Sequence, residues 1–180
     1  MLIMVTGGVS SGKTQFALSY ASTLAREGIY ITDEHAKPLP EKMRAPSKLR
    51  RIHMSSHQSL PDTLDHINKE SNLFLADRRI VVIDSLTSWM ISEWKNCWNS
   101  ADQARIKARL EQLKEVVFSY QGLLLIITNE MQGSFHPSEE EKQFISSMAE
   151  MNRLIAVRSD QVFQLTSGIA SEISRNKIRY

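Results

Sequence analysis

The chain has 180 residues, 42% of them hydrophobic, and 22 Lys and Arg against 20 Asp and Glu leave a formal net charge of +2. That length suits one domain with a core of its own, and so even a charge balance excludes a general polyanion binder, so nucleic acid is not an expected partner. The single cysteine, Cys97, excludes an intramolecular disulfide framework and a multi-cysteine zinc site and fits a reducing cytoplasm, and no window approaches the roughly 18 apolar residues of a membrane span.

Residues 2–6 are a short apolar run closed by Gly7-Gly8. With no basic segment ahead of it, the run reads as a first strand and not as a signal peptide. Residues 14–26 then place Phe16, Ala17, Tyr20, Ala21 and Leu24 at helical spacing, Glu27-Gly28 ends the helix, and residues 29–32 make a second strand. Between 33 and 48, Pro38, Pro40 and Pro46 interleave with charges, which predicts a mobile or irregular excursion. A strand over 51–55 follows, then a helix over 60–70 whose start, Ser59-Leu-Pro-Asp, carries a cap residue and a proline in the first turn. Residues 79–84, Arg-Ile-Val-Val-Ile-Asp, have the β-branched run of a strand buried on both faces, and it ends in a carboxylate.

Residues 89–98 are predicted helical, and 101–120 set Ile106, Leu110, Leu113, Val117 and Tyr120 on one stripe until Gly122 stops the helix. Another buried strand spans 123–128, followed by Asn129-Glu130 and a loop through Gly133 and Pro137, then a helix over 138–158 and a last strand over 161–166. Strands alternating with helices along the whole length predict a doubly wound, mostly parallel α/β sheet with ligands at the carboxyl ends of its strands.

Gly7-Gly8-Val9-Ser10-Ser11-Gly12-Lys13-Thr14 satisfies G-x-x-x-x-G-K-[ST] between a predicted strand and a predicted helix. Gly7 and Gly12 permit the close backbone approach that lets successive N–H groups converge on phosphate oxygens. Lys13 brings a cation to the β- and γ-phosphates, Thr14 offers a hydroxyl to Mg²⁺, and the helix N-terminus adds partial positive charge. The expected substrate is ATP or GTP. Asp84, ending a buried strand, is the candidate second anchor for Mg²⁺, with helix N-cap as its alternative role. Asn129 and Glu130 would lie in the same crevice, placed to orient substrate or water. The chain lacks the Asn-Lys-x-Asp and Asp-x-x-Gly signatures of a GTPase, and Ser85 stands where an ATPase motor places a glutamate. Transfer to a bound acceptor is therefore favoured over hydrolysis.

Four segments carry a family resemblance: Thr6-Gly-Gly-Val-Ser-Ser-Gly-Lys-Thr, Val82-Ile-Asp-Ser-Leu-Thr-Ser-Trp, Ile127-Thr-Asn-Glu-Met-Gln-Gly, and Asn152-Arg-Leu-Ile-Ala with Ser159-Asp-Gln-Val and Gly168-Ile beyond it. On these the chain resembles the bifunctional adenosylcobinamide kinase/adenosylcobinamide-phosphate guanylyltransferase family of cobalamin biosynthesis. The resemblance implies a P-loop NTPase with a RecA-like, mostly parallel sheet flanked by helices, one domain over residues 1–180, often assembled as a trimer. It also implies two reactions on a corrinoid: phosphorylation of a hydroxyl from ATP or GTP, and transfer of GMP from GTP through a histidine-linked intermediate. Position by position, residues 7–14 would hold phosphate, Asp84 would serve the metal, Asn129 and Glu130 would stand at the site edge, and Asn152 would complete its helix. Ser10 replaces an arginine usual in the family's phosphate loop, and Asn152 is followed by Arg153 instead of a Gln-type pairing.

The family's nucleophilic histidine follows a pattern that has no clean copy between residues 33 and 56. Neutral imidazole can attack an α-phosphorus and leave again near neutral pH, which makes His35, His53 and His57 candidates with His53 ahead. His66 and His136 read as surface residues. Trp89, Trp94 and Trp98 with Met90 form an aromatic cluster, expected to pack in the core ahead of touching a corrinoid or a subunit interface. Two alternatives stay open: a nucleotide-binding paralogue with a regulatory or scaffold role, and a P-loop kinase for another small metabolite.

Overall fold

Strand β1 (Leu2–Gly7) alternates its side chains between two layers, Met4 toward one and Ile3 and Val5 toward the other, and this alternation organises the molecule. The computed structural model describes residues 1–34, 36, 38–40, 43–55, 58–70, 79–98, 103–131 and 136–175, the side chains of 98 and 103 excepted. After β1 come α1 (Lys13–Leu24), β2 (Glu27–Asp33), β3 (Lys48–Met54), α2 (Leu60–Glu70), β4 (Arg79–Asp84), α3 (Leu86–Trp98), α4 (Gln103–Ser119), β5 (Leu123–Ile127), α5 (Glu139–Arg158), β6 (Gln161–Thr166) and β7 (Ile169–Glu172). Among the described residues the strands form one sheet in the order β3-β2-β4-β5-β1-β6-β7, parallel except for the β6–β7 pair.

The register explains why the central strands are apolar throughout. Val82 of β4 pairs with Leu125 of β5, which pairs with Ile3 of β1, and all three face α1 together with Ala17 and Leu18. Val81, Ile83, Leu124 and Ile126 face the other way, onto a larger core from α2, α3, α4 and α5 that includes Leu64, Trp89, Leu113 and Ile155. Each fully buried Leu or Ile contributes about 1.5–3 kcal/mol relative to exposure.

Helix starts are capped where short polar residues stand. Ser59 Oγ accepts from the Asp62 N–H at 3.2 Å, and Ser138 Oγ accepts from the Glu141 N–H at 3.1 Å. Between Asp33, which ends β2, and Lys48, which opens β3, the excursion predicted from the prolines has no helix or strand among its described residues, yet it is anchored: Leu39, Met43 and Ala45 pack on the α1-side core. Trp89 and Trp94 are buried, Trp94 edge-on to Phe144 at 5.4 Å, and Cys97 is fully buried beside them; the Trp98 side chain lies outside the described residues. No helix among the described residues is long and apolar enough to cross a membrane.

Strand β7 is absent from the sequence-based expectation. Four residues with half-exposed side chains give little periodic signal, and the indication that exists is the Ser167-Gly168 pair, whose φ angles of 52° and 84° make the tight turn a two-residue hairpin needs.

Candidate functional site

The turn from β1 into α1 wraps back on itself. Gly12, the residue before α1, has φ 92°, and Ser10 has φ 58°. Lys13 is thereby folded into the loop: its Nζ donates to the Gly8 carbonyl at 2.6 Å and the Gly7 carbonyl at 3.2 Å, and lies 3.5 Å from Ser11 Oγ. Nine-tenths of Lys13 is buried. Burial pushes its ammonium below the ordinary lysine range, opposed by the charges of Asp84 and Glu130.

Two contacts hold the loop from outside. The Gly168 N–H, at the β6–β7 turn, donates to the Ser11 carbonyl at 3.1 Å, and Gly7 passes so close to β6 that an added Cβ would lie 2.4 Å from the Leu165 carbonyl oxygen. Gly7→Ala is expected to destabilise the protein by about 2–4 kcal/mol, through the clash and through φ 149° at that position. The check is the urea midpoint; an unchanged midpoint would mean that β6 yields freely to the methyl group.

Asp84 lies across from the loop at the end of β4. One of its oxygens, Oδ2, accepts from the Thr14 hydroxyl at 2.7 Å and from the Tyr30 phenol at 2.6 Å. Burial and the adjacent carboxylate push the Tyr30 phenol well above its usual range, so it remains a donor. The cap role considered for Asp84 belongs to its neighbour: Ser85 Oγ accepts from the Ser88 N–H at 3.2 Å at the start of α3.

The corner after β5 is fixed by a buried chain of polar groups. Thr87 Oγ1 accepts from the Asn129 N–H at 2.9 Å and lies 3.3 Å from Thr128 Oγ1; Thr128 in turn donates to Asn152 Oδ1 at 2.8 Å, and Asn152 Nδ2 returns to the Asn129 carbonyl at 3.1 Å. Three elements, α3, β5 and α5, are thus tied together, and Asn152 acts from within this chain. Glu130 is exposed, its N–H donating to the Gly7 carbonyl at 3.3 Å and its Oε1 accepting from Gln164 at 3.4 Å. The fold brings Lys13, Thr14, Asp84 and Glu130 near one another, while Val9 projects from the loop tip with 82% exposure.

His53 is exposed on β3. It pairs in register with Thr32 of β2, which pairs with Asp84 of β4, so the three occupy one row of the sheet with His53 about 10 Å from Asp84 by two strand spacings. Arg51, two residues before it, is near enough to act on the Tyr30 phenol. His35 and His57 lie outside the described residues; His66 pairs with Glu70 at 3.3 Å on the surface, and His136 is exposed. The sequence has no signal for the Tyr30–Asp84 bond or the Thr87–Thr128 link, because each depends on register and not on local spacing.

The family model described as cobinamide kinase / cobinamide phosphate guanyltransferase matches residues 3–173. Among solved structures, the chain is similar to a crystal structure of the RadB recombinase, with 17% identity and a TM-score of 0.50 over 91% of this chain and 73% of that one. At that identity the likeness is one of fold, a RecA-like P-loop NTPase sheet. No curated protein matches the chain.

Proposed function

The chain belongs to the cobinamide kinase / cobinamide phosphate guanyltransferase family, and from that footing we propose that it phosphorylates the hydroxyl of adenosylcobinamide from ATP or GTP and then transfers GMP from GTP to the product. The observation that carries this reading is the Thr14–Asp84 contact at the mouth of the loop that buries Lys13. A hydroxyl and a carboxylate 2.7 Å apart are the hard oxygen donors that suit Mg²⁺ together with substrate phosphates. Thr14 and Asp84 would hold that ion, which when bound offsets phosphate charge.

In the kinase step the loop N–H groups and Lys13 bind the β- and γ-phosphates and stabilise the charge that develops on the transferring group. The acceptor oxygen bonds to the γ-phosphorus as the bond to the β,γ-bridging oxygen breaks, the nucleoside diphosphate leaves, and the hydroxyl proton passes to Glu130, the exposed carboxylate beside Lys13. In the second step His53 is our candidate nucleophile, since it shares a sheet row with Asp84 and is open to solvent. Its neutral imidazole bonds to the α-phosphorus of GTP and pyrophosphate leaves; a phosphate oxygen of the phosphorylated corrinoid then displaces the imidazole.

Incubation with γ-labelled and α-labelled GTP, with and without adenosylcobinamide, tests both steps. The expected result is γ-label on the corrinoid, and acid-labile α-label on the wild-type protein that His53→Ala abolishes while γ-transfer persists. No label on the corrinoid would overturn the kinase reading; acid-labile label retained by His53→Ala would remove His53 as the nucleophile.

A further inference from the structure

Strand β5 lies between β4 and β1, and past its end the two sides differ. Toward β1 the ladder continues: the Thr128 N–H donates to the Val5 carbonyl at 3.0 Å and the Glu130 N–H to the Gly7 carbonyl at 3.3 Å. Toward β4 the strand pairing stops at Asp84 and Ile127, because the chain turns there into α3. Main-chain groups alternate in direction along an extended chain, so the N–H and carbonyl of Asn129 face the side where the strand has ended. Side chains meet them there: Thr87, from the first turn of α3, takes the N–H, and Asn152 of α5 takes the carbonyl.

These contacts and the two that join them close into a ring, and the main chain fixes every proton in it. An N–H only donates, so Thr87 Oγ1 is the acceptor for Asn129. A carbonyl only accepts, so Asn152 turns Nδ2 to Asn129 and Oδ1 to the Thr128 hydroxyl, which donates to it at 2.8 Å. Thr128 Oγ1 is left to accept from the Thr87 hydroxyl, 3.3 Å away. Thr87 and Thr128 are buried, where a satisfied polar network specifies one arrangement. Adhesion between α3 and α5 needs none of this, since Trp89 and Met90 already share an apolar core with Met151 and Ile155. What the ring adds is the orientation of one residue. Glu130 follows that residue directly, and its N–H shares the Gly7 carbonyl with Lys13 Nζ, which lies 3.2 Å from the same oxygen.

We infer that Asn152, with Thr87 and Thr128, is a positioning residue for phosphoryl transfer: the ring fixes the Asn129 main chain and so holds the Glu130 carboxylate beside Lys13, where it takes the acceptor's proton. The inference rests on the proposed kinase function, in which Glu130 is the base, and adds to it three residues that act through Glu130. Breaking the ring leaves the phosphate loop and the Thr14–Asp84 pair as they are. It removes the constraint on Glu130, so kcat falls while both KM values hold.

The test is a double-mutant cycle on kcat for transfer from ATP to adenosylcobinamide. Glu130→Gln is expected to lower kcat about 10²-fold and Asn152→Leu about ten-fold, with each substrate's KM within about two-fold, and the double variant to be no slower than Glu130→Gln alone. Thr87→Val should behave as Asn152→Leu does, and Thr87→Ser, which keeps the hydroxyl, should recover most of the rate. That pair takes the place of Asn152→Leu in the cycle if Asn152→Leu does not fold. Effects that multiply in the double variant, or an Asn152→Leu enzyme with wild-type kcat, would overturn the positioning role and leave the kinase function standing. Wild-type kcat in Glu130→Gln would remove the base and the positioning role with it. A wild-type chain that does not phosphorylate adenosylcobinamide would overturn the kinase function itself.

Discussion

Replacing Lys13 by Met is expected to cut phosphoryl transfer by about 10³-fold or more, equivalent to about 4 kcal/mol of transition-state stabilisation, with the fold intact. Methionine keeps the length and apolar stem that the buried position accommodates, so what is lost is the charge and its hydrogen bonds to the Gly7 and Gly8 carbonyls. The melting temperature should move little, because burying the ammonium is costly and removing it offsets the lost bonds. Wild type should also show a basic limb in kcat/KM for nucleotide. Lys13 must be protonated to act, and burial holds its pKa below the usual 10.5 in the free enzyme, so activity is present below that lowered pKa and lost above it. Bound phosphate favours the charged form, so the corresponding limb in kcat should lie at higher pH. Full activity in Lys13→Met, or a melting temperature that collapses, would contradict this account.

The parts of this arrangement that sequence reveals are those encoded within a few residues. The phosphate loop is legible because an apolar strand, two glycines at fixed offset, Lys-Thr and an amphipathic helix all fall within residues 2–24. Strands β4 and β5 are equally plain, since a strand buried on both faces must be apolar along its interior, as Ile80–Ile83 and Leu123–Ile127 are. What escapes is whatever depends on which strands become neighbours. Asp84 can be read as a metal-side residue or as a helix cap until Ser85 is seen to accept the cap bond, leaving Asp84 to Thr14 and Tyr30. Asn152 stands 23 positions from Asn129 in the sequence and is singled out only by the resemblance; its physical role appears once Thr128 and Asn129 are brought against α5. His53 gains its relation to Asp84 from the parallel register of β3, β2 and β4, which no local spacing encodes.

Asp84→Asn should lower kcat by about 10²–10³-fold and raise the Mg²⁺ concentration needed for half-maximal rate. The amide oxygen can still accept from Thr14 or Tyr30, and the start of α3 is held by Ser85, so the loss of charge is separated from loss of structure. Stability should fall by about 1–3 kcal/mol at most, the scale of a weakened hydrogen bond to a charged group. Tyr30→Phe provides the contrast: it removes a donor from Asp84 Oδ2 but leaves the carboxylate, and its effect on kcat should remain within about ten-fold. Thr14→Ala combined with Asp84→Asn distinguishes the metal-side role from a merely structural one. If the hydroxyl and the carboxylate hold the same ion, the double variant should be little slower than the slower single one, because residues acting as a unit are not additive. Multiplying effects, or an Asp84→Asn enzyme with unaltered rate and Mg²⁺ dependence, would reduce the Thr14–Asp84 bond to a structural tie between α1 and β4.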